Sequence, residues 1–236
     1  MITLKDFSIG YGDRKLLENI NLTFEENALS ALTGRNGTGK STLLRAMASL
    51  NHNYSGNIFI KGSDIGKLPA EALSKTVAFV NTEKVRIPNL KCKDIVAMGR
   101  APYTNWIGHL QEIDREIVAS ALDAVGMQEF ANRTMDTMSD GECQRIMIAR
   151  AIAQTTPVIL LDEPTSFLDI PNRVHLVSLL KELTVSQNKT IVFSTHEIDI
   201  AQRFCDKIAV VNTPDLYYDS TENAERDKII QKVFNI

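Results

Sequence analysis

Eight consecutive residues, Gly34-Arg35-Asn36-Gly37-Thr38-Gly39-Lys40-Ser41, carry the most specific chemistry in the chain and fit the pattern G-x-x-x-x-G-K-[ST]. The glycines free backbone N–H groups to converge on a phosphate chain without side-chain interference. Lys40 is then placed to reach β- and γ-phosphate oxygens, and the Ser41 hydroxyl to ligate Mg²⁺. Thr42 follows directly and belongs to the same candidate nucleotide site. A second cluster, Val158-Ile159-Leu160-Leu161-Asp162-Glu163, is an apolar run that ends in two acids. Ionised carboxylates at the end of a buried strand require a partner. Nucleotide-bound Mg²⁺ is the natural one for Asp162, alongside Ser41. Glu163 then lies near the γ-phosphate, able to orient or deprotonate an attacking water.

These groups need a strand before the glycine loop and a helix after it. Ile20, Leu22 and Phe24 alternate with polar residues, and residues 29–32 form a short apolar run into the loop. Residues 1–33 therefore read as strands, and a helix follows over 40–50. Short strands are expected at 58–60 and 77–80. From about 83 to 132 strand-like runs vanish, and helical patterns cover 93–98 and 112–125. Beyond Met138 the pattern predicts a helix to Ala153, a strand at 158–161, a helix at 172–187, a strand at 190–194, a helix at 197–204 and a strand at 207–211. Alternating strands and helices imply crossover connections and a mainly parallel sheet. The expectation is one unit: an α/β nucleotide-binding core, residues 1–82 and 139–236, with a helical subdomain inserted at about 83–138. In the last segment, 212–236, Ile229, Ile230, Val233 and Phe234 mark one side of a helix that packs on the core.

The composition fits this reading. With 236 residues at about 150 per domain, 44% apolar and 23% charged residues, the chain can bury a substantial core. The 26 basic and 29 acidic residues give a net charge of −3, which argues against a nucleic-acid partner. No apolar run exceeds roughly five residues, against the ~18 that span a bilayer. The start, MITLKDFSIG, lacks the layout of a secretory signal. Cys92, Cys143 and Cys205 are an odd number without CxxC spacing, so neither a disulfide framework nor a zinc site is expected. The composition is that of a reduced, cytosol-facing, soluble chain.

Over nearly its full length the sequence resembles the ATP-binding subunits of ABC transporters. Met138-Ser139-Asp140-Gly141-Glu142 is similar to the family's LSGGQ signature, and Asp162-Glu163-Pro164-Thr165 to its second nucleotide motif. Ser166-Phe167-Leu168-Asp169 resembles the D-loop, Ser194-Thr195-His196 the strand end that carries the switch histidine, and Tyr11 the aromatic that stacks on adenine. The resemblance implies a P-loop NTPase core with N-terminal antiparallel strands and the inserted helical subdomain. It also implies ATP and Mg²⁺ as cofactors, with His196 contacting the γ-phosphate and holding Glu163 and water. By the same resemblance Ser139, Gly141, Glu142 and Asp169 serve the nucleotide of a second copy, so two chains close head-to-tail around two ATP molecules. Segment 94–103 and the pair Arg35-Asn36 resemble importers of iron chelates, haem and cobalamin.

Several features stay open at this level. Ser139-x-x-Glu142 is also a capping box, which alone would satisfy free N–H groups at a helix start. Cys143 is either a thiolate stabilised near that helix end or a small buried apolar group. The stretch 84–110 carries Lys84, Arg86, Lys91, Lys93 and Arg100 with Pro102, Tyr103 and Trp106. It reads as a solvated surface with aromatics packed beneath, or as a docking face for a permease loop. The family's usual glutamine after the strand at 77–80 is replaced by Thr82, a candidate metal and nucleotide contact with shorter reach. Asn81 or Glu83 could substitute for it, or a bridging water.

The resulting expectation is an ATPase whose dimer closure moves a separate integral-membrane permease, at the cytoplasmic face of the membrane. It would work indirectly with a substrate-binding protein, in import of iron-siderophore, haem or cobalamin. The alternative is a soluble ABC ATPase of iron–sulfur assembly. A chromosome-maintenance ATPase is disfavoured by the lack of coiled-coil insertions and basic surface. A small GTPase or kinase would leave the signature and His196 unexplained.

Overall fold

The computed structural model describes residues 1–12, 14–83, 86–221, 223, 230–231 and 233. The N-terminal strands β1 (Ile2–Tyr11) and β2 (Arg14–Phe24) pair antiparallel, and β1 also pairs with β4 (Tyr54–Ile60), which is capped by the short β5 (Ser63–Asp64). Alternation, reset by register shifts along β1 and β2 between Leu4 and Phe7 and between Phe7 and Ile9, puts Ile2, Leu4, Phe7, Leu17, Ile20, Phe24, Ile58 and Ile60 on the buried side of this sheet.

The second sheet has six strands in the order β10-β9-β3-β8-β7-β6. These are β3 (Leu29–Gly34), β6 (Val77–Val80), β7 (Val158–Leu161), β8 (Thr190–Ser194), β9 (Lys207–Asn212) and β10 (Asp215–Ser220). All are parallel except β10, which returns antiparallel on β9. Strands covered on both faces read as continuous apolar runs rather than alternating ones, as 158–161 does. The carboxyl ends of β3, β7 and β8 lie side by side, and the glycine loop, the acid pair and His196 all follow from them.

The helix α1 (Lys40–Met47) starts at the loop and buries Leu43, Leu44 and Met47 between the two sheets. It is shorter than the predicted 40–50 because Ser49 adopts a left-handed φ of 54°. The strand at 58–60 extends back to Tyr54, drawn out by pairing of Tyr54 and Ser55 with Ile9 and Ser8. Besides short 3₁₀ turns, the described residues add β5, α2 (Ala70–Ser74) and β10 to the expected elements.

The middle of the chain holds α3 (Cys92–Ala97) and α4 (Glu112–Ala124), joined by a 3₁₀ segment, Met98–Tyr103. Both helices pack on α5 (Asp140–Ala153), whose Ile146, Ile148, Ala149 and Ile152 are buried among Ile95, Val96, Val118 and Leu122. The sheet flank of that core carries α6 (Ile170–Ser186) and α7 (Ile198–Phe204). Ile230 and Val233 are helical and buried in it, while Ile229 and Phe234 of the expected terminal helix lie outside the described residues.

Two expectations for 84–110 are corrected. Arg100 is not a surface cation: it is 5% exposed and ion-paired with the equally sequestered Asp114 at 2.9 Å. It also donates to the Ala153 carbonyl at 2.8 Å and to Thr155 Oγ1 at 2.9 Å, tying the end of α5 to the start of α4. Burial by itself would raise the Asp114 pKa, but the hydrogen bonds from Arg100 and the Gln111 N–H hold it below the usual carboxylate value. Trp106 is not packed beneath the surface: it is 94% exposed, and Ile107 beside it is exposed too.

Candidate nucleotide site

Gly34 ends β3, and the loop 34–39 turns directly into α1. Gly39 caps that helix with a φ of 104°, a left-handed backbone, and a Cβ there would sit 3.2 Å from Leu16. Only glycine meets both demands without strain. Lys40 is 6% exposed, and its ammonium donates to the carbonyls of Gly34 at 2.9 Å and Arg35 at 3.1 Å. Burial lowers its pKa, and the nearby Glu163 and Asp162 work against that shift. Thr38 Oγ1 donates to the Arg35 carbonyl at 2.9 Å, and the Thr213 hydroxyl of the β9–β10 turn donates to the Thr38 carbonyl at 3.3 Å.

Asp162 follows β7 and is 2% exposed. Its Oδ1 accepts from Ser41 Oγ at 3.0 Å and from Ser194 Oγ at 2.7 Å. Thr82 Oγ1 donates to the Asp162 main-chain carbonyl at 2.9 Å. Beside Thr82, Asn81 and Glu83 are both engaged by Arg45, at 3.3 Å each. Glu163 has a left-handed φ of 47°. Its Oε1 lies 2.9 Å from His196 Nε2, and its Oε2 accepts from Ser166 Oγ at 3.0 Å.

A cleft of about 310 Å³ gathers Tyr11, Asn36, Gly37, Gly39, Lys40, Ser41, Thr42, Glu163 and His196. Tyr11 is 56% exposed, and its hydroxyl lies 3.2 Å from Thr42 Oγ1. Arg14 and Leu16 line the same cleft, and Arg14 donates to the Gly37 carbonyl at 3.1 Å. Neither was singled out in the sequence, where a hairpin arginine carries no signal of its own.

The donor set fits a magnesium nucleotide. A buried ammonium, a serine hydroxyl and a carboxylate converge beside a left-handed glycine loop. Among the described residues no group of three or more His, Cys, Asp or Glu side chains comes together. A cation at Ser41 and Asp162 would therefore draw its other ligands from phosphate oxygens and water, the habit of Mg²⁺ rather than of a protein-caged ion.

The signature residues lie elsewhere. Ser139 caps α5: its Oγ accepts the Glu142 N–H at 3.3 Å, while Glu142 Oε2 accepts the Ser139 N–H at 2.7 Å and hydroxyl at 2.8 Å. The backbone N–H of Ser139 holds the Glu142 carboxyl below its usual pKa, with the Ser139 hydroxyl adding to the effect. A Cβ on Gly141 would meet the Phe167 carbonyl oxygen at 2.9 Å, so this helix start is pressed against the D-loop segment. Asp169 caps α6 by accepting the Asn172 N–H at 3.1 Å. Asp140 is paired with Arg86 at 2.8 Å. Cys143 is buried, donates to the Met135 carbonyl at 3.6 Å, and has its thiol pKa raised by burial. That decides between its two readings in favour of the buried apolar group.

Fold and cleft together define a P-loop ATPase. A family model described as ABC transporter matches residues 17–166. The chain is 38% identical to an uncharacterized ABC transporter ATP-binding protein of Methanocaldococcus jannaschii, covering all of this chain and 82% of that one. It is 34% identical to a probable siderophore transport system ATP-binding protein of Bacillus subtilis, covering 100% and 86%. Among solved structures, a transporter assigned to the metal-chelate type of ABC transporter, in an inward-facing conformation, superimposes with a TM-score of 0.86 at 29% identity, over 100% and 89% of the two chains. A dimeric ATP-binding cassette in a post-hydrolysis state with ADP and Pi gives 0.83 at 27% identity, over 94% and 100%. The chain belongs to the ABC transporter family and is an ATP-binding, ATP-hydrolysing cassette of it. No helix among the described residues is long and apolar enough to cross a membrane.

Proposed function

We propose that this chain is the motor subunit of an importer for an iron-siderophore, haem or cobalamin, attached to a separate integral-membrane permease at the cytoplasmic face of the membrane. The observation that carries the reading is the separation of two half-sites. Lys40, Ser41, Glu163 and His196 line one cleft, with Asp162 bonded to Ser41 behind it, whereas Gly141, in the capping turn of Ser139 and Glu142, packs against Phe167 and Leu168. One copy therefore offers a phosphate cradle and, elsewhere, a capped helix start suited to an anion. Two copies placed head-to-tail complete both sites. The solved cassette dimer and the relative named for siderophore transport support this assignment. Residues 1–82 and 139–236 form its nucleotide-binding core, and about 83–138 its helical subdomain. A substrate-binding protein would deliver the cargo to the permease.

In the working site Tyr11 stacks on the base, and the backbone N–H groups of 37–42 hold the phosphates. Lys40 turns from its two carbonyls to phosphate oxygens. Ser41 and Asp162 would hold Mg²⁺, with Thr82 adjoining; when bound, the ion would neutralise developing charge on the phosphate oxygens. Glu163 orients a water and takes its proton at the carboxylate. His196 and Ser166 fix that carboxylate from either side. The signature of the second copy, Ser139, Gly141 and Glu142 together with its Asp169, closes over the γ-phosphate. Closure excludes water and moves the permease, and hydrolysis reopens the pair.

The test is to purify the chain with its co-expressed membrane subunit, reconstitute the complex, and measure ATP-dependent uptake of a ferric hydroxamate, haem and cobalamin. Uptake of one of the three is expected. A Glu163→Gln form that stays monomeric in Mg-ATP, both alone and beside the permease, would overturn the head-to-tail motor.

A further inference from the structure

We propose that Ser194 is a positioning residue that sets the metal-side carboxylate and the water-side carboxylate with one hydroxyl. The inference rests on the ATPase reading of the cleft and adds a residue to it.

β7 and β8 are neighbours in the parallel sheet with Leu161 opposite Phe193, so the next residues, Asp162 and Ser194, leave the sheet together. Ser194 is fully buried. Its Oγ lies 2.7 Å from Asp162 Oδ1 and 2.8 Å from the Glu163 backbone nitrogen. The two bonds fix the direction of its only proton. A backbone N–H can only donate, so the hydroxyl accepts from Glu163 and must give its proton to Asp162.

The second hydroxyl on Asp162 Oδ1 belongs to Ser41, which is partly exposed and faces the cleft. Ser41 is the one a phosphate-bound cation would recruit. Ser194 is buried away from the cleft and keeps its bond, so it is the hydroxyl that still sets the rotation of the Asp162 side chain when a cation recruits Ser41. Its other bond holds the N–H of a residue in the left-handed region, a strained conformation for a glutamate that needs support from its surroundings. From there the Glu163 side chain reaches His196 and Ser166.

Ser194→Ala removes both bonds without adding volume. The expected result has three parts. The kcat/KM for Mg-ATP falls at least about tenfold, as for a lost hydrogen bond to a charged group, with KM rising as the metal affinity falls. Binding of Mn²⁺ to the ATP-loaded protein, read by electron paramagnetic resonance, weakens about tenfold. Binding of a fluorescent ATP analogue in EDTA stays close to wild type, because the glycine loop is untouched, while the unfolding temperature falls by a few degrees for the two lost buried bonds. Ser194→Thr, which keeps the hydroxyl, recovers most of the Mn²⁺ affinity.

Unchanged Mn²⁺ affinity in Ser194→Ala overturns the proposal. So does a parallel fall in EDTA binding and kcat/KM, which marks a merely structural residue. A wild-type protein that neither binds Mn²⁺ with ATP nor hydrolyses it would instead overturn the ATPase reading itself, and this inference with it.

Discussion

His196 Nε2 stands 2.9 Å from Glu163 Oε1, on the opposite side of the carboxylate from the Ser166 hydroxyl. The acid is thus clamped at both oxygens by residues from two different loops. Glu163→Gln keeps the shape and loses the base, so ATP hydrolysis should fall by about 10²–10⁴-fold with ATP affinity little changed. His196→Ala should lose a comparable factor. Phosphate release and equilibrium nucleotide binding, measured on the same preparations, check both.

The Tyr11 hydroxyl meets Thr42 Oγ1 at 3.2 Å while the side chain stays exposed. Its proposed contact is stacking, worth about 1–3 kcal/mol in nucleic-acid binders. Tyr11→Ala should weaken ATP binding by roughly tenfold, and Tyr11→Phe should be close to wild type because the ring is kept. Equal losses in both variants would shift the role to the hydroxyl.

The Arg100–Asp114 pair is sealed from solvent and braced by Ala153 and Thr155. Truncating Arg100 to Ala leaves an uncompensated buried charge, which costs about 3 kcal/mol or more. The unfolding temperature should drop by roughly 6–12 °C. Asp114 has a depressed native pKa, so its contribution is fully present above its unfolded pKa of about 3.9 and is lost as pH falls through the folded value. Wild-type stability should therefore decline below about pH 4 more steeply than that of Asp114→Asn, which lacks this contribution. Chemical denaturation across pH 2.5–6 would check the slopes (roughly one carboxylate's worth of difference).

All three cysteines are buried, and burial raises the pKa of each thiol. Above the ordinary thiol pKa the unfolded chain loses these protons first, so the cysteines favour the fold at neutral pH and lose that effect in strong alkali. Maleimide at pH 7.5 should label the native protein far more slowly than the denatured one. Fast stoichiometric labelling of Cys143 in the native state would contradict its burial.

Trp106 is the single tryptophan and is nearly bare. Native emission should resemble that of free tryptophan and be quenched readily by acrylamide. Assembly with the permease should shift the emission to the blue and shield it, if the 104–110 loop is part of the docking face.

Much of the molecule was legible because its signals are local. The glycine loop, the apolar run 158–161 and the capping box at Ser139 each announce an element within a few residues, and each is present. What escaped depends on distant partners. Arg100 looked like one of several surface cations because Asp114 and Ala153, 14 and 53 residues away, are what bury it. Ser194 lies within a recognised strand end, yet its bonds reach 31 and 32 residues back to Glu163 and Asp162, set by strand order alone. The strand β10 alternates Leu216 and Tyr218 with polar neighbours, and its partner β9 supplies the reason it is extended.

The ammonium of Lys40 already gives two of its three protons to the walls of its own cradle. On the proposed reading, nucleotide arrival would be a trade, in which two internal carbonyls surrender a cation that the phosphates claim. The cradle is thus braced from within while it waits, and by the same reading departing ADP would hand the lysine back, so that each turnover would end with the brace restored.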